Sequence, residues 1–241
     1  KARYPFIPVD QTLTTTNSVR TGVVVSSASL TKLLAFTTTT TTTDVTTNHT
    51  ITSQGDPAGV NWGPIAGMKS VYLDGTGDYF TVPNHADFNL STGAYTIEFW
   101  INTRQSTAWV FYNAHSNTGI ELYIGSNGSS GSRPGQIEIN EKVSNNSSYY
   151  YSHCRIDDGS WHHVAFCRDG VSRRVFVDGK LEHKNGTTNR DLASGTVGHI
   201  GRKEGLVDAT QFKGYISNFR WIKGQALYAE TFTPPSALLE G

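Results

Sequence analysis

Between positions 95 and 102 the chain alternates without a break. Tyr95, Ile97, Phe99 and Ile101 take every second place, with Thr96, Glu98, Trp100 and Asn102 between them. Residues two apart share one face of a strand, so this period predicts a β-strand with one buried side and is incompatible with a helix. Residues 161–167 repeat the pattern: His162, Val164 and Phe166 alternate with Trp161, His163, Ala165 and Cys167. Large groups on both faces predict a central strand. Asp169-Gly170 and Asp178-Gly179 are hairpin dipeptides, because Gly, and Asp more readily than most residues, accepts positive φ. They bracket a further strand over residues 173–177. No ten-residue amphipathic helix is visible, and residues 225–230 suffice for a single turn. Two sheets packed face to face is the simplest way to bury so many strands.

Length and composition agree with one large β domain. The chain has 241 residues, 24 of them Gly and 8 Pro, which favours short strands joined by tight turns. Lys and Arg number 20, as do Asp and Glu. That balance leaves no basic surplus to displace counterions from phosphates, so nucleic acid is not an expected partner. No apolar run approaches the ~18–20 residues of a membrane span, and residues 22–25 are far too few, so membrane insertion is not expected. The chain starts at Lys1 instead of Met, as a processed product would. Cys154 and Cys167 flank the turn Asp157-Asp158-Gly159-Ser160. If that turn closes a simple hairpin, Cys154 faces about position 163. Cys167 then lies outside the ~7 Å reach of a disulfide, and two free, buried thiols are expected.

Residues 1–29 are polar and irregular and read as an arm, with Tyr4, Pro5, Phe6 and Pro8 its candidate assembly contacts. The domain proper covers 30–241. It begins with a short strand over 30–36, followed by seven threonines, 37–43, which suit extended chain at an exposed edge or loop. The chain closes on Gly214-Tyr215-Ile216-Ser217-Asn218-Phe219-Arg220-Trp221-Ile222-Lys223-Gly224, then Phe232-Thr233-Pro234-Pro235: a last strand, an aromatic turn and a proline stop.

Four motifs resemble a known family. Asp74-Gly75-Thr76-Gly77-Asp78-Tyr79, Tyr95-Thr96-Ile97-Glu98-Phe99-Trp100, Gly159-Ser160-Trp161-His162-His163-Val164-Ala165 and Phe176-Val177-Asp178-Gly179 occur in the order and spacing of laminin-G-like domains. These are a branch of the concanavalin-A-like jelly rolls, and the resemblance covers roughly residues 30–238. It implies an all-β, two-sheet antiparallel jelly-roll sandwich. The ending Phe219-Arg220-Trp221-Ile222-Lys223-Gly224, with Ala226-Leu227-Tyr228, resembles a narrower set, as does the segment ending Asn48-His49-Thr50-Ile51-Thr52. Those are the laminin-G-like modules of tailed-bacteriophage structural proteins, notably phages of marine bacteria and cyanobacteria. This resemblance implies a non-catalytic virion component (capsid decoration, neck or tail fibre). Its partners would be other virion proteins or copies of itself, engaged by the arm, and cell-surface glycan would be a second target. The alternative is a secreted carbohydrate-binding or adhesive module of an extracellular fibre, glycosylated on its Thr run or its Asn-x-Ser/Thr triplets, which begin at Asn48, Asn89, Asn127, Asn145, Asn146 and Asn185.

The candidate chemistry is sparse. Retaining glycosidases need two carboxylates ~5–5.5 Å apart, yet Glu138 and Glu141 lie three apart on one strand and so face opposite ways, while Glu98 and Glu121 look isolated. No enzyme is expected. His162-His163 also diverge, as framework residues of a strand, and His153 has no zinc-ligand spacing around it. No organic cofactor is implied. Calcium is the resembling family's common ion, and Asp74 and Asp78 are the candidate ligands. Turn chemistry with Gly75 and Gly77 is the competing reading, and Ser217-Asn218 stands where many relatives carry an acidic pair. For carbohydrate, the candidates are Asn127 and Arg133, and Asn145 running into Tyr149, Tyr150 and Tyr151, with Trp109 and Trp221 as further rings. Against this, the Tyr run equally fits a strand edge with one ring buried and its neighbours solvated.

Overall fold

The computed structural model describes residues 30–114, 118–126, 131–144, 146–186, 190–192, 196–205 and 210–237. Tyr4, Pro5, Phe6 and Pro8 of the arm, together with Asn127 and Asn145, lie outside the described residues. The strands in chain order are β1 (Thr31–Ala35), β2 (Thr52–Gln54), β3 (Ala58–Val60), β4 (Ser70–Asp74) and β5 (Tyr79–Val82). Then follow β6 (Tyr95–Thr103), β7 (Ala108–Tyr112), β8 (Gly119–Ile124), β9 (Ile137–Val143) and β10 (Asn146–Tyr151). The last are β11 (Trp161–Arg168), β12 (Ser172–Val177), β13 (Lys180–Gly186), β14 (Gly198–Ile200) and β15 (Lys213–Lys223). One 3-10 turn, Ala86–Phe88, is the helical content of the described residues, and none is long and apolar enough to cross a membrane.

Two antiparallel sheets result. The first runs β13-β12-β11-β6-β15-β4-β3, with β1 beside the far half of β15; the second runs β10-β9-β8-β7-β14-β5-β2. The expected sandwich is therefore present. Ile97, Phe99 and Ile101 of β6, Val164 and Phe166 of β11, and Phe219 and Trp221 of β15 meet Phe80, Phe111, Leu122 and Ile139 from the second sheet in one core. Trp221 packs against Phe88 and Phe111, both at 5.5 Å between ring centres. Polar groups also cross this core. Glu141 of β9 accepts hydrogen bonds from the Tyr95 hydroxyl (2.9 Å) and from Arg173 Nε (3.0 Å), so it ties the second sheet to β6 and β12.

The central strand β6 departs from expectation, for all nine of its residues are buried. Of its outward side chains, Thr96 and Glu98 are covered by the chain's own end, while Asn102 is held by the Gly159 carbonyl. After β15, residues 225–234 fold back over the first sheet, where Leu227, Tyr228 and Phe232 pack on Ala165, Cys167, Phe176 and Ile222. This strap forms no helical turn over 225–230. The Phe232 N–H donates to the Gly179 carbonyl at 2.8 Å. Gly179 sits at φ 75° in the β12–β13 hairpin, beside Asp178 at φ 52°; a Cβ there would fall 2.0 Å from the Phe232 carbonyl oxygen. Only glycine lets the strap close on the turn.

Beneath the strap lies Glu98, wholly buried and bonded on both oxygens. Oε1 accepts from Arg220 Nε (2.7 Å) and Nη2; Oε2 accepts from the Tyr228 hydroxyl (2.8 Å) and meets His163 Nε2 (3.1 Å). Burial alone would raise this carboxyl, but the Arg220 charge, aided by His163, overrides it and holds the value at about 2.

Three further expectations change. The turn at 157–160 is not a hairpin: β10 belongs to the second sheet and β11 to the first, so this segment crosses between sheets and Cys154 does not face position 163. Both thiols are nonetheless free, Cys167 buried and Cys154 half-buried. Burial pushes them up to about 12 and about 11. Residues 37–43 make bends and turns, not extended chain. Their exit is held by buried Asp44, which accepts the N–H groups of Leu34, Thr46 and His49.

Glu98 has a lower value folded than unfolded, so its stabilisation is complete above about pH 4.5 and is lost as pH falls toward about 2. The difference amounts to roughly 3 kcal/mol. Glu98→Gln is expected to cost about 3–5 kcal/mol at pH 7, because Arg220 stays buried without its counter-charge. It should also flatten the acid limb of stability. Urea unfolding at a series of pH values measures both.

Candidate functional site

The outer face of the first sheet is only half covered by the strap, and the open half carries aromatic side chains. On β4, Val71 and Leu73 turn into the core, so Tyr72 points outward. Register places Tyr215 of β15 directly opposite it, with ring centres 4.9 Å apart. Trp161, which opens β11, comes within 6.2 Å of Tyr215. Trp62, from the loop after β3, lies across this row, 4.7 Å from Tyr215 at 81° and 5.1 Å from Trp161. Its loop is fixed by the Ser70 hydroxyl, which donates to the Trp62 carbonyl. Trp62 remains 46% exposed although two aromatic neighbours, Trp161 and Tyr215, pack against it.

Beside these rings opens a cleft of about 400 Å³ between the Tyr72–Tyr215 pair and the corner Asn102–Gln105, with Lys213 at its edge. Its lining contains no carboxylate; Arg104 and Lys213 bring positive charge. Asp74 lies opposite Lys213 in the β4–β15 register, just outside the lining. The corner is rigid. Asn102 Nδ2 donates to the Gly159 carbonyl (2.7 Å), and Gln105 joins β15 by donating to the Gln211 carbonyl (3.0 Å) and accepting the Lys213 N–H. A cleft of this volume, apolar with a few fixed polar groups, suits a small ligand or a few sugar units. An aromatic face carries negative charge density and attracts polarised C–H groups such as those of a pyranose ring.

The residues singled out from sequence fall elsewhere, and several come together. Tyr149 and Tyr151 pair across from Asn140 and Glu138 and face outward from the second sheet, while Tyr150, across from Ile139, is buried in the core. Arg133 lies 3.7 Å above the Tyr151 ring and 3.9 Å from Glu138. The same outer face holds Trp109 against Tyr123 at 4.8 Å, with Lys203 5.0 Å from the Trp109 ring. Glu121 is not isolated. It accepts from Asn140 Nδ2 (2.7 Å) and Lys142 Nζ (3.1 Å), and it shares this face with Glu138 on the neighbouring strand. Trp221, the other ring considered, is a core residue.

At the β4–β5 turn both oxygens of Asp78 are occupied by backbone donors: Oδ1 accepts the Asp56 N–H (2.9 Å) and Oδ2 the Asp74 N–H (3.0 Å). Asp74 Oδ1 accepts the Thr76 N–H at 2.6 Å. Amide protons thus stand where a cation would approach Asp78. Ser217 and Asn218 are buried in a bulge of β15, where Ser217 Oγ donates to the Lys69 carbonyl and accepts from Asn218 Nδ2. This donor set fits a turn and a bulge better than a calcium site.

The family follows from the comparisons. Residues 74–231 match the laminin-G-like model of the concanavalin A-like lectin/glucanases superfamily, and the chain belongs to that superfamily. Among solved structures it is similar to the receptor binding domain of botulinum neurotoxin C/D mosaic serotype, with TM-score 0.64 and 15% identity over 83% of this chain and 49% of that one. It is also similar to the binding domain of Paraclostridial Mosquitocidal Protein 1, with TM-score 0.67 and 12% identity over 83% and 50%. The botulinum neurotoxin serotype G binding domain gives TM-score 0.63 and 14% identity over 82% and 48%. The chain spans about half the length of each, and at these identities the likeness is one of fold. No curated protein matches it in sequence.

Sequence reading passed over Trp62, Tyr72, Trp161 and Tyr215. Alternation does place Tyr72 and Tyr215 opposite core residues, but nothing local signals that the four converge. On the carboxylate geometry above, adding calcium is expected to leave the thermal midpoint unchanged; a rise lost in Asp74→Asn would establish a site at the turn.

Proposed function

We propose that this chain is a non-catalytic glycan-binding module of a virion structural protein (capsid decoration, neck or tail fibre), with Trp62, Tyr215, Tyr72 and Trp161 as the sugar platform. The reading is carried by one observation: Trp62 stays 46% exposed while packed on Tyr215, which lines a cleft that holds no carboxylate. Glycoside hydrolysis needs two carboxylates flanking the bond, so this cleft is suited to holding sugar and not to cutting it. The superfamily contains lectins as well as glucanases, and the similar structures are titled receptor-binding or binding domains, which favours binding. The virion assignment is supported by the phage-like ending at residues 219–235. In that setting residues 1–29 dock on other virion proteins or on copies of the chain, and the cleft meets cell-surface glycan outside the host cell.

A second reading puts the sugar on the outer face of the second sheet, favoured by Arg133 stacked over Tyr151, with Tyr149, Trp109 and Tyr123 nearby. The cellular alternative, a secreted adhesive module, draws on the exposed sequons at Asn48 and Asn185.

A glycan array separates the two faces. Trp62→Ala is expected to weaken retention about tenfold, the equivalent of roughly 1.4 kcal/mol for one stacked ring, while Tyr149→Ala with Tyr151→Ala leaves it unchanged. The reverse pattern selects the second face, and no retained glycan at all overturns the function. For the virion, the chain is expected to co-purify with a major capsid protein and to lose incorporation when residues 1–29 are deleted. An intact mass well above 26.4 kDa would instead favour the glycosylated cellular protein.

A further inference from the structure

Away from both sugar faces, three side chains of metal-ligand type converge at the rim of the second sheet. His49 comes from the loop between β1 and β2; His85 and Asp87 come from the 3-10 turn after β5, where His85 is the N-cap. Asp87 Oδ2 lies 3.3 Å from His49 Nε2 and 3.1 Å from His85 Nδ1, and the three ligand atoms all fall within 4.8 Å of one another.

Hydrogen bonding alone leaves this meeting poorly accounted for. His85 Nδ1 accepts the Asp87 N–H (3.2 Å), so this nitrogen carries a lone pair and no proton, and an ion bound there would take over the pair that now caps the turn. The Asp87 carboxylate is an acceptor as well. His49 Nε2 is buried, with its side chain only 3% exposed, and makes no well-aligned hydrogen bond among the described residues; Asp87 Oδ2 at 3.3 Å faces it off the ideal direction. Its ring is not free to turn away, because the backbone N–H is held by Asp44 (3.0 Å) and the imidazole packs on Phe88 at 4.7 Å and edge-on to His85 at 4.9 Å.

We infer that His49, His85 and Asp87 form a binding site for a borderline divalent transition ion of the zinc type. Zinc bonds of about 2.0–2.1 Å place adjacent tetrahedral ligand atoms about 3.3–3.4 Å apart, close to the two observed separations. Two imidazoles and one carboxylate select such an ion over calcium or magnesium, which take oxygen ligands. Three protein ligands leave a fourth position, and the 54% exposure of the His85 side chain puts that position at the surface, open to water or to a donor from a neighbouring molecule. Bound there, the ion clips the loop that follows the threonine run to the exit of β5. The rival occupant of the cluster is a proton shared between a histidine and Asp87.

The test uses chelator-treated full chain titrated with zinc chloride alone by calorimetry, and with cobalt chloride followed by visible absorption. One equivalent of zinc is expected to bind and to raise the thermal midpoint, and cobalt to give the intense bands of a tetrahedral site. His85→Ala, at a half-exposed position that leaves folding intact, is expected to weaken zinc binding more than tenfold and abolish the midpoint shift. His49→Ala is expected to act alike, and calcium to produce neither signal. The inference is overturned if zinc does not bind saturably. It is equally overturned if binding survives His49→Ala and His85→Ala but is lost on replacing His153 and His183, the other histidine pair close together in the structure.

Discussion

A carboxylate on the outer side of a sheet ordinarily rests in water, but Glu98 has none. Removing its charge from solvent is tolerable only with a counter-charge and hydrogen bonds on both oxygens. Arg220 supplies the first, with Tyr228 and His163 completing the set. These partners come from β15, from the strap and from β11. The central strands and the chain's last turn therefore become one cooperative unit. Without the strap, Glu98 and Arg220 are wetted; without the pair, the strap keeps its apolar contacts but loses the bond that sets its register. The closing motif is part of the framework, and its aromatic residues are committed to packing: Tyr228 and Phe232 stack at 3.6 Å and 2°.

That commitment shapes the rest of the face. The rings form a nearly continuous row, from the strap through Phe232 and His163 at 5.8 Å, then His163 and Trp100 at 5.1 Å, to the open rings around Trp62 and Trp161. One end of the row is sealed and the other is open. Tyr72, Trp161 and Tyr215 rest on strands, and the β6–β15 pairing beneath them is held by the buried ion pair, so a ligand meeting these three rings would have to order little of the protein.

The sandwich was legible in sequence because its signals are local. Alternation marked β6 and β11 as strands, the Asp-Gly dipeptides marked their turns, and the bulk on both sides of residues 161–167 gave β11 its central place. What failed depended on distant partners. Residues 95–102 read as one-sided because the cover over Thr96 and Glu98 comes from residues 225–234. The 157–160 turn read as a hairpin because spacing alone does not distinguish a turn within a sheet from a crossing between sheets. Alternation also gave the Tyr run one buried ring with its neighbours outside, and Tyr150 is the buried one. The rings at 62, 72, 161 and 215 meet only through register, as do His49 and Asp87. Strand patterns report faces, whereas sites arise from which strands are adjacent.

Cys167 gives the strap a further property. Its thiol lies between the first sheet and the folded-back tail, and burial keeps it protonated and out of reach. A reagent meets this sulfur only during moments when the tail has lifted, so its rate of labelling carries the local opening equilibrium as a factor. The molecule thus carries its own clock for the loosening of its last segment, read through a thiol already in the chain.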